Sequence, residues 1–468
     1  MVGLALTRRL IEIREIKMAG IFKAYDIRGT YPDQLDETTA FHVGYYFKDL
    51  LEEDDLALGP VVVVSRDMRS HSVPLAQAVK NGLRARGVAV IDIGIADTPQ
   101  NYFATGYLGT SGGIQITASH NPAVYNGFKL SRRDAIPVSF ETGIDRLEQF
   151  ILATDVPTDL EPDAGEEIRD VFAEYTEHIL SELIGSEPRL KLAADAANGM
   201  GTLYQPIFEH LNLEVSPLYF ELDGTFPNHE ANPLKAENLV DVEQAVKEHG
   251  CDFGVAFDGD ADRAIIIDEK GNAISADIIT GLLAPRFLRD DPGSAIVYDL
   301  RSSWSTKEAI EEAGGIAIRE RVGHSFIKAT MREHDSPFGG ELAGHFYYRR
   351  NYTADSSIGT VIEVLNHLRE TGKPLSELVA PLKRYFATGE VNFKVDDKQG
   401  MIRRLAEDFA DGEIDYLDGI TVQYEDWWFN VRPSNTEPYL RLVLEARTAE
   451  MMDENRDLLL SYLGTPEA

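Results

Sequence analysis

Gly112-Gly113-Ile114-Gln115-Ile116 runs directly into Thr117-Ala118-Ser119-His120-Asn121-Pro122. The first five residues form a short β-prone run, and the Asn-Pro that follows is a turn former. A strand that breaks there is expected to hold Ser119 at an exposed tip rather than in a core. A serine hydroxyl is a poor nucleophile until something activates it. It is a good place to store a phosphoryl group when a cation is nearby to manage the charge. Alone, the segment also reads as an ordinary Ser/Asn/Pro turn, and later segments have to decide between the two.

Working outward, Met18 to about 158 reads as α/β. Pro60 to Ser65 is a strand buried on both faces, since Val61-Val62-Val63-Val64 shows no alternation. A helix from about Val73 to Arg86, a strand from Val88 to Gly94 and a helix opening at Thr98-Pro99 follow. Asn126-Gly127-Phe128-Lys129 is expected to make a tight turn that carries Lys129 back toward the serine loop. The rhythm repeats over 159–272 and again over 273–383. The stretch 384–468 differs, with strands around Trp427-Trp428 and a closing helix from Met451. The expected fold is therefore three similar α/β domains with mixed sheets and a smaller, different α+β C-terminal domain. Residues 1–17 are expected to be a dispensable extension.

The chain has 468 residues and a net charge of -33. That surface repels nucleic acid and anionic membranes, so neither is expected as a partner. It repels anionic substrates too, so any phosphate site must be a local island of Arg and Lys. One cysteine, Cys251, rules out an internal disulfide and a cysteine metal site. No apolar run approaches the roughly 20 residues of a membrane span. A cytoplasmic location is expected.

Asp258-Gly259-Asp260-Ala261-Asp262-Arg263 lies between two apolar runs. Three carboxylates at alternating positions around a turn can aim oxygens at one hard cation, and the number suits Mg²⁺. An EF-hand is the rival reading. Against it, Arg263 occupies the place of the sharp-turn glycine and the flanks are strand-like. Arg432-Pro433-Ser434-Asn435-Thr436-Glu437-Pro438 offers a guanidinium, hydroxyls and turn N–H groups, which taken alone read equally as an anion nest or as a hairpin turn. Gly339-Gly340-Glu341-Leu342-Ala343-Gly344-His345 presents one acid and one imidazole, which read either as a grip on sugar hydroxyls or simply as a turn.

With YDIRG around Arg28, these segments arrive in one order, and the chain from Met18 onward resembles the α-D-phosphohexomutases, most closely the phosphomannomutase/phosphoglucomutase branch. The resemblance implies four domains around a central cleft. It implies that Ser119 is a phosphoserine and, with Asp258, Asp260 and Asp262, a ligand of one Mg²⁺. It places Arg28, His120, Lys129 and Arg263 at the phosphoryl-transfer end, and Tyr25, Arg301, His324, Glu341 and His345 on the substrate. Arg432, Ser434, Asn435 and Thr436 would clamp the phosphate that is not reacting. Ala343 stands where the family usually has serine, and Arg301 near where lysine is common; both bear on sugar preference.

The implied reaction moves phosphate reversibly between O1 and O6 of mannose and/or glucose through a hexose 1,6-bisphosphate, which also serves as activator. Lys129 is the first candidate general base, on the premise that cationic neighbours lower its pKa. Phosphoglucosamine mutase is the near alternative; a phosphoserine phosphatase and a non-enzymatic sugar-phosphate binder are the others. A monomer or weak homodimer is expected.

Overall fold

The computed structural model describes residues 18, 20–51, 59–153, 156–434 and 439–467. The extension 1–17, Asn435 and Thr436 lie outside the described residues. The described chain forms four sheets.

The first sheet contains β1 (Ile27–Thr30), β2 (Val61–Arg66), β3 (Ala89–Ile95), β4 (Gly112–Ile116), β5 (Tyr125–Arg132), β6 (Ile136–Pro137) and β7 (Glu166–Ile168). Its order is β1-β5-β4-β2-β3-β7, with β6 on β5. β4, β2, β3 and β7 run parallel, whereas β5 runs antiparallel to both its neighbours, β4 and β1. Val62, Val63 and Val64 are fully buried, as the unbroken valine run requires. Helices Glu37–Phe47 and Ser72–Ala85 pack on the sheet around Phe41, Val79 and Leu83.

The second sheet contains β8 (Leu190–Asp195), β9 (Leu213–Leu218), β10 (Phe253–Phe257), β11 (Ala264–Ile267) and β12 (Ala273–Ile274), in the order β12-β11-β10-β8-β9. β10 and β11 form a hairpin whose turn is the acidic segment. In the third, β13 (Ala295–Asp299) lies between β14 (Ile316–Glu320) and β15 (Phe338–Gly340), all parallel. β16 (Phe346–Tyr348) and β17 (Ala354–Asp355) form an antiparallel hairpin. The last sheet is antiparallel throughout: β18 (Phe386–Ala387), β19 (Val391–Phe393), β20 (Glu413–Asp415), β21 (Ile420–Gln423), β22 (Trp427–Pro433) and β23 (Leu440–Ala446). Helices Lys398–Asp408 and Ala449–Leu463 contribute Leu405 and Leu459 to its core. The expected three mixed α/β sheets and a different C-terminal sheet are the observed architecture.

Two compact units contain these sheets. The first takes the described residues up to Ile274 together with Ala343–Leu375, and the second takes Ser275–Leu342 with the chain from Ser376. β16, β17 and helix Ser357–Thr371 therefore belong to the first unit.

One local expectation fails. Asn126 to Lys129 do not turn; they lie inside the eight-residue strand β5. β5 is paired on both sides, to β1 and β4, which outweighs the local Asn-Gly turn preference. The glycine serves a different purpose. A Cβ on Gly127 would lie 2.2 Å from the Ile27 carbonyl oxygen, so only glycine lets β1 approach. Asn126 donates to Ser72 Oγ at 2.9 Å. Lys129 is thereby held mid-strand and buried.

Gly127→Ala is expected to lose about 3 kcal/mol of stability in the first unit, and urea unfolding followed by far-UV circular dichroism would measure it. Wild-type stability would mean that β1 can move away at no cost.

Candidate active site

Within the first unit, the β4–β5 loop, the β10–β11 turn and β1 bring their chemistry together. Ser119 is 1% exposed, so the expected exposed tip is wrong. The acidic turn covers it: a Cβ on Gly259 would lie 2.3 Å from the Ser119 carbonyl oxygen. The two loops thus meet backbone to backbone. Ser119 also takes a left-handed backbone, φ 50°, which is costly for a non-glycine residue and persists where surrounding structure enforces it. Its Oγ donates to Asp258 Oδ2 at 2.7 Å and lies 3.2 Å from His120 Nδ1.

Asp258, Asp260 and Asp262 are all buried. Each offers an oxygen within 4.8 Å of the others'. Lys129 Nζ donates to Asp260 Oδ2 at 2.7 Å and also to Asp262 Oδ2. Thr98 Oγ1 donates to the same Asp260 oxygen at 2.6 Å. Burial alone would raise Asp260, but Lys129 and Thr98 hold it below the ordinary carboxylate range. Asp258 is pushed well up by burial and by Asp262 and Asp260 beside it. The premise behind Lys129 as base is reversed. Its hydrogen-bonding partners are carboxylates rather than cations, and they outweigh burial and hold its pKa well above the ordinary lysine value.

Arg28 bonds to Asp26 and to the Asn121 side chain of the serine loop. Arg263 Nε stands 3.8 Å from Asp258 Oδ2 and donates to His345 Nε2 at 2.9 Å. His345 Nδ1 is 2.9 Å from Asp355 Oδ2. His120 is kept well below the ordinary imidazole value by burial, Arg263 and Arg28, and is therefore neutral near pH 7. Tyr25 is half-buried in the bend ahead of β1.

The donor set fits a hard divalent cation. Three carboxylates and a hydroxyl converge, and Asp260 Oδ1 and Asp262 Oδ1 are buried with no hydrogen-bond partner. Buried polar atoms are ordinarily satisfied, so two orphaned oxygens in one acidic pocket are what a metal site leaves when its protein ligands are counted alone. Asp262, His345 and Asp355 also group within ligand distance, but there His345 and Asp355 already pair.

The second unit has its own cluster. Arg301 donates to Asp299, to Glu341 Oε1 at 3.2 Å and to Glu390 Oε2 at 3.2 Å. Arg432, 1% exposed, donates to the same Glu390 oxygen at 2.6 Å, and Arg441 to its other oxygen at 3.0 Å. Burial alone would raise Glu390, yet Arg301, Arg432 and Arg441 hold it at about 2. Glu341 follows β15 and is buried. His324 is the half-buried first residue of helix His324–Glu333. Ser434 N donates to the Tyr439 carbonyl across the loop.

Several residues here escaped the sequence reading. Thr98, Asp355 and Glu390 are polar residues in ordinary stretches, and nothing local marks them as site residues; Asp26 does lie in the YDIRG segment, but its bond to Arg28 was not read from it. Arg69 did stand in a charged run, Arg66-Asp67-Met68-Arg69, right after a buried strand. It donates to the Ser119 carbonyl at 3.1 Å.

Four domain models match the chain in order. They are the phosphoglucomutase/phosphomannomutase α/β/α domains I (residues 19–156), II (173–271) and III (275–385), and the C-terminal domain (390–459). The chain belongs to the phosphoglucomutase/phosphomannomutase family, and with it to the phosphohexomutase enzymes. Its relatives include a protein named "Phosphohexose mutases" from Xanthomonas campestris pv. campestris, 41% identical and covering 94% of this chain and 98% of that one. A phosphomannomutase of Escherichia coli K12 is 38% identical over 96% of this chain and all of its own length. A crystal structure of a family protein from Burkholderia thailandensis superposes with a TM-score of 0.85 at 33% identity, over 96% and 98% of the two chains.

Glu390 gives a pH test. Its folded value of about 2 is below the ordinary 4.5, so the stability it contributes is present above about pH 4.5 and lost as pH falls toward 2. The gap is worth roughly 3 kcal/mol. Trp304, Trp427 and Trp428, all the tryptophans of the chain, lie in the second unit and report its unfolding. Glu390→Gln is expected to cost about 3 kcal/mol at pH 7 and only about 1 at pH 3. A difference independent of pH would refute the assignment.

Proposed function

We propose that the chain interconverts the 1- and 6-phosphates of a hexose, mannose and/or glucose, through phospho-Ser119 and a hexose 1,6-bisphosphate. The observation that carries this reading is Ser119 Oγ, buried and 2.7 Å from Asp258 in the three-carboxylate pocket, with Lys129 bridging the other two acids. A serine built only for structure needs neither the strained backbone nor the acids.

In the first half-reaction a sugar hydroxyl attacks the phosphorus of phospho-Ser119. The new P–O bond forms to the sugar as the P–Oγ bond breaks. The hydroxyl proton is removed, and the departing Oγ takes up one proton, so charge balances. Neutral His120, beside Oγ, is suited to exchange that proton. The second half-reaction reverses these steps at the other phosphate and restores phospho-Ser119. Phosphoryl transfer needs positioning and charge stabilisation more than covalent chemistry. Asp258, Asp260, Asp262 and Ser119 would hold Mg²⁺, which supplies positive charge to the phosphoryl oxygens. Lys129, held on Asp260 and Asp262, stands with Arg28 and Arg263 at this centre.

Arg432 and Ser434, with Asn435 and Thr436, are assigned to the phosphate that is not reacting, and Arg301, His324, Glu341 and His345 to the sugar. Glu390 keeps the Arg301, Arg432 and Arg441 guanidinium groups together although they repel one another. A clamp that grips only phosphate serves both orientations of the substrate. The roles of a free bisphosphate as activator and of a monomer or weak homodimer go with this reading. Among the described residues, no helix is long and apolar enough to cross a membrane.

The test compares kcat/KM on mannose, glucose and glucosamine 1-phosphates with Mg²⁺ and a trace of glucose 1,6-bisphosphate. Ser119→Ala is expected to lower turnover at least ~10³-fold, and EDTA to abolish it until Mg²⁺ returns. Arg432→Ala is expected to raise KM roughly 10- to 100-fold with a smaller change in kcat. An unchanged KM would sink the clamp assignment. Release of inorganic phosphate in place of the 6-phosphate would turn the reading to a phosphatase.

A further inference from the structure

Arg69 is fully buried, and its guanidinium is spent almost entirely on one loop. Nη2 donates to the carbonyl oxygens of Ser119 and Asn121, at 3.1 and 2.6 Å. Nη1 donates to those of Pro122 and Tyr125, at 2.8 and 3.1 Å. Nε donates to Asp67 Oδ2 at 3.2 Å, and Asp67 Oδ1 is taken by the Arg69 N–H and by Ser72 Oγ. The neighbouring His71 bonds the Ala123 carbonyl at 2.9 Å, and the Tyr31 N–H the Val124 carbonyl at 2.8 Å. The serine loop thus hangs by its carbonyls from a single buried fork and its neighbours.

A second element seals that fork. The Phe226 ring lies 4.9 Å from the guanidinium carbon, and a Cβ on Gly224 would lie 2.6 Å from the Arg69 Cα. The segment from Gly224 to Phe226 therefore sits directly on Arg69 and shields it from water. A guanidinium so enclosed is expensive unless each N–H has an acceptor, which makes this arrangement hard to deform. Lysine would keep the charge but cannot reach four carbonyls from one ammonium.

We propose that Arg69 is the positioning residue that aims Ser119 for phosphoryl transfer. By fixing the carbonyls of Ser119 and the residues after it, Arg69 keeps Ser119 in its left-handed backbone with Oγ on Asp258. On the serine loop the fork touches only backbone, so it holds the same aim whether Oγ carries a proton or a phosphoryl group. The proposal rests on the reading of Ser119 as the phosphoryl carrier.

Arg69→Lys tests it, in the full-length protein with Mg²⁺, mannose 1-phosphate and glucose 1,6-bisphosphate. A misaimed Oγ is expected to cost about 100-fold in kcat while KM stays within about twofold. Amide hydrogen exchange across Ser119 to Tyr125 is expected to quicken at least about tenfold, with the β10–β11 hairpin unchanged. A kcat within about threefold of wild type overturns the proposal. So does a loss of kcat with unchanged exchange in the loop, which would place the effect elsewhere. If Arg69→Lys does not fold, Phe226→Leu decides: it uncovers the fork but leaves its bonds. Faster loop exchange and a lower kcat at unchanged KM support the proposal, and wild-type values of both overturn it. Wild-type protein that converts no hexose phosphate would fail the mutase reading instead, a result separate from the exchange data.

Discussion

Three carboxylates cannot be buried side by side unless something positive shares the space. Asp258, Asp260 and Asp262 meet that constraint through Lys129, which bonds two of them from the middle of β5. Removing one partner of such a buried set typically costs about 3–5 kcal/mol. β5 must therefore hold its register, and its pairing to β1 and β4 is what holds it. Glycine at 127 follows from that pairing, and so does the loop between β4 and β5 that carries Ser119.

The second unit answers the same constraint with the signs exchanged. Three guanidinium groups are gathered on one carboxylate, Glu390. Guanidinium groups so close together repel one another, and a carboxylate that pairs with all three keeps them assembled. In both centres buried groups of one sign are held together by a side chain of the other.

Much of the element pattern was legible because it depends on local periodicity and punctuation. The valine run of β2, the Thr98-Pro99 helix start and the β10–β11 hairpin around the acidic turn all lie where the residues place them. The failures share a cause. Asn126-Gly127 and Ser119 were read from their own preferences, and in each case a distant segment overruled them. β1 turned the expected Asn-Gly turn into strand, and Gly259 covered the expected exposed tip. Thr98 and Asp355 could not be singled out because their partners, Asp260 and His345, are remote in sequence.

The sequence by itself determined the family, the order of the domains and the residue types at each centre, because motifs carry chemistry at short range. Tertiary structure decided which charges meet. Whether Lys129 faces cations or carboxylates depends on a turn more than a hundred residues away, and the answer reverses its proton affinity. Electrostatic energy depends on distances of a few ångströms and on burial, and neither is a property of any short stretch of chain.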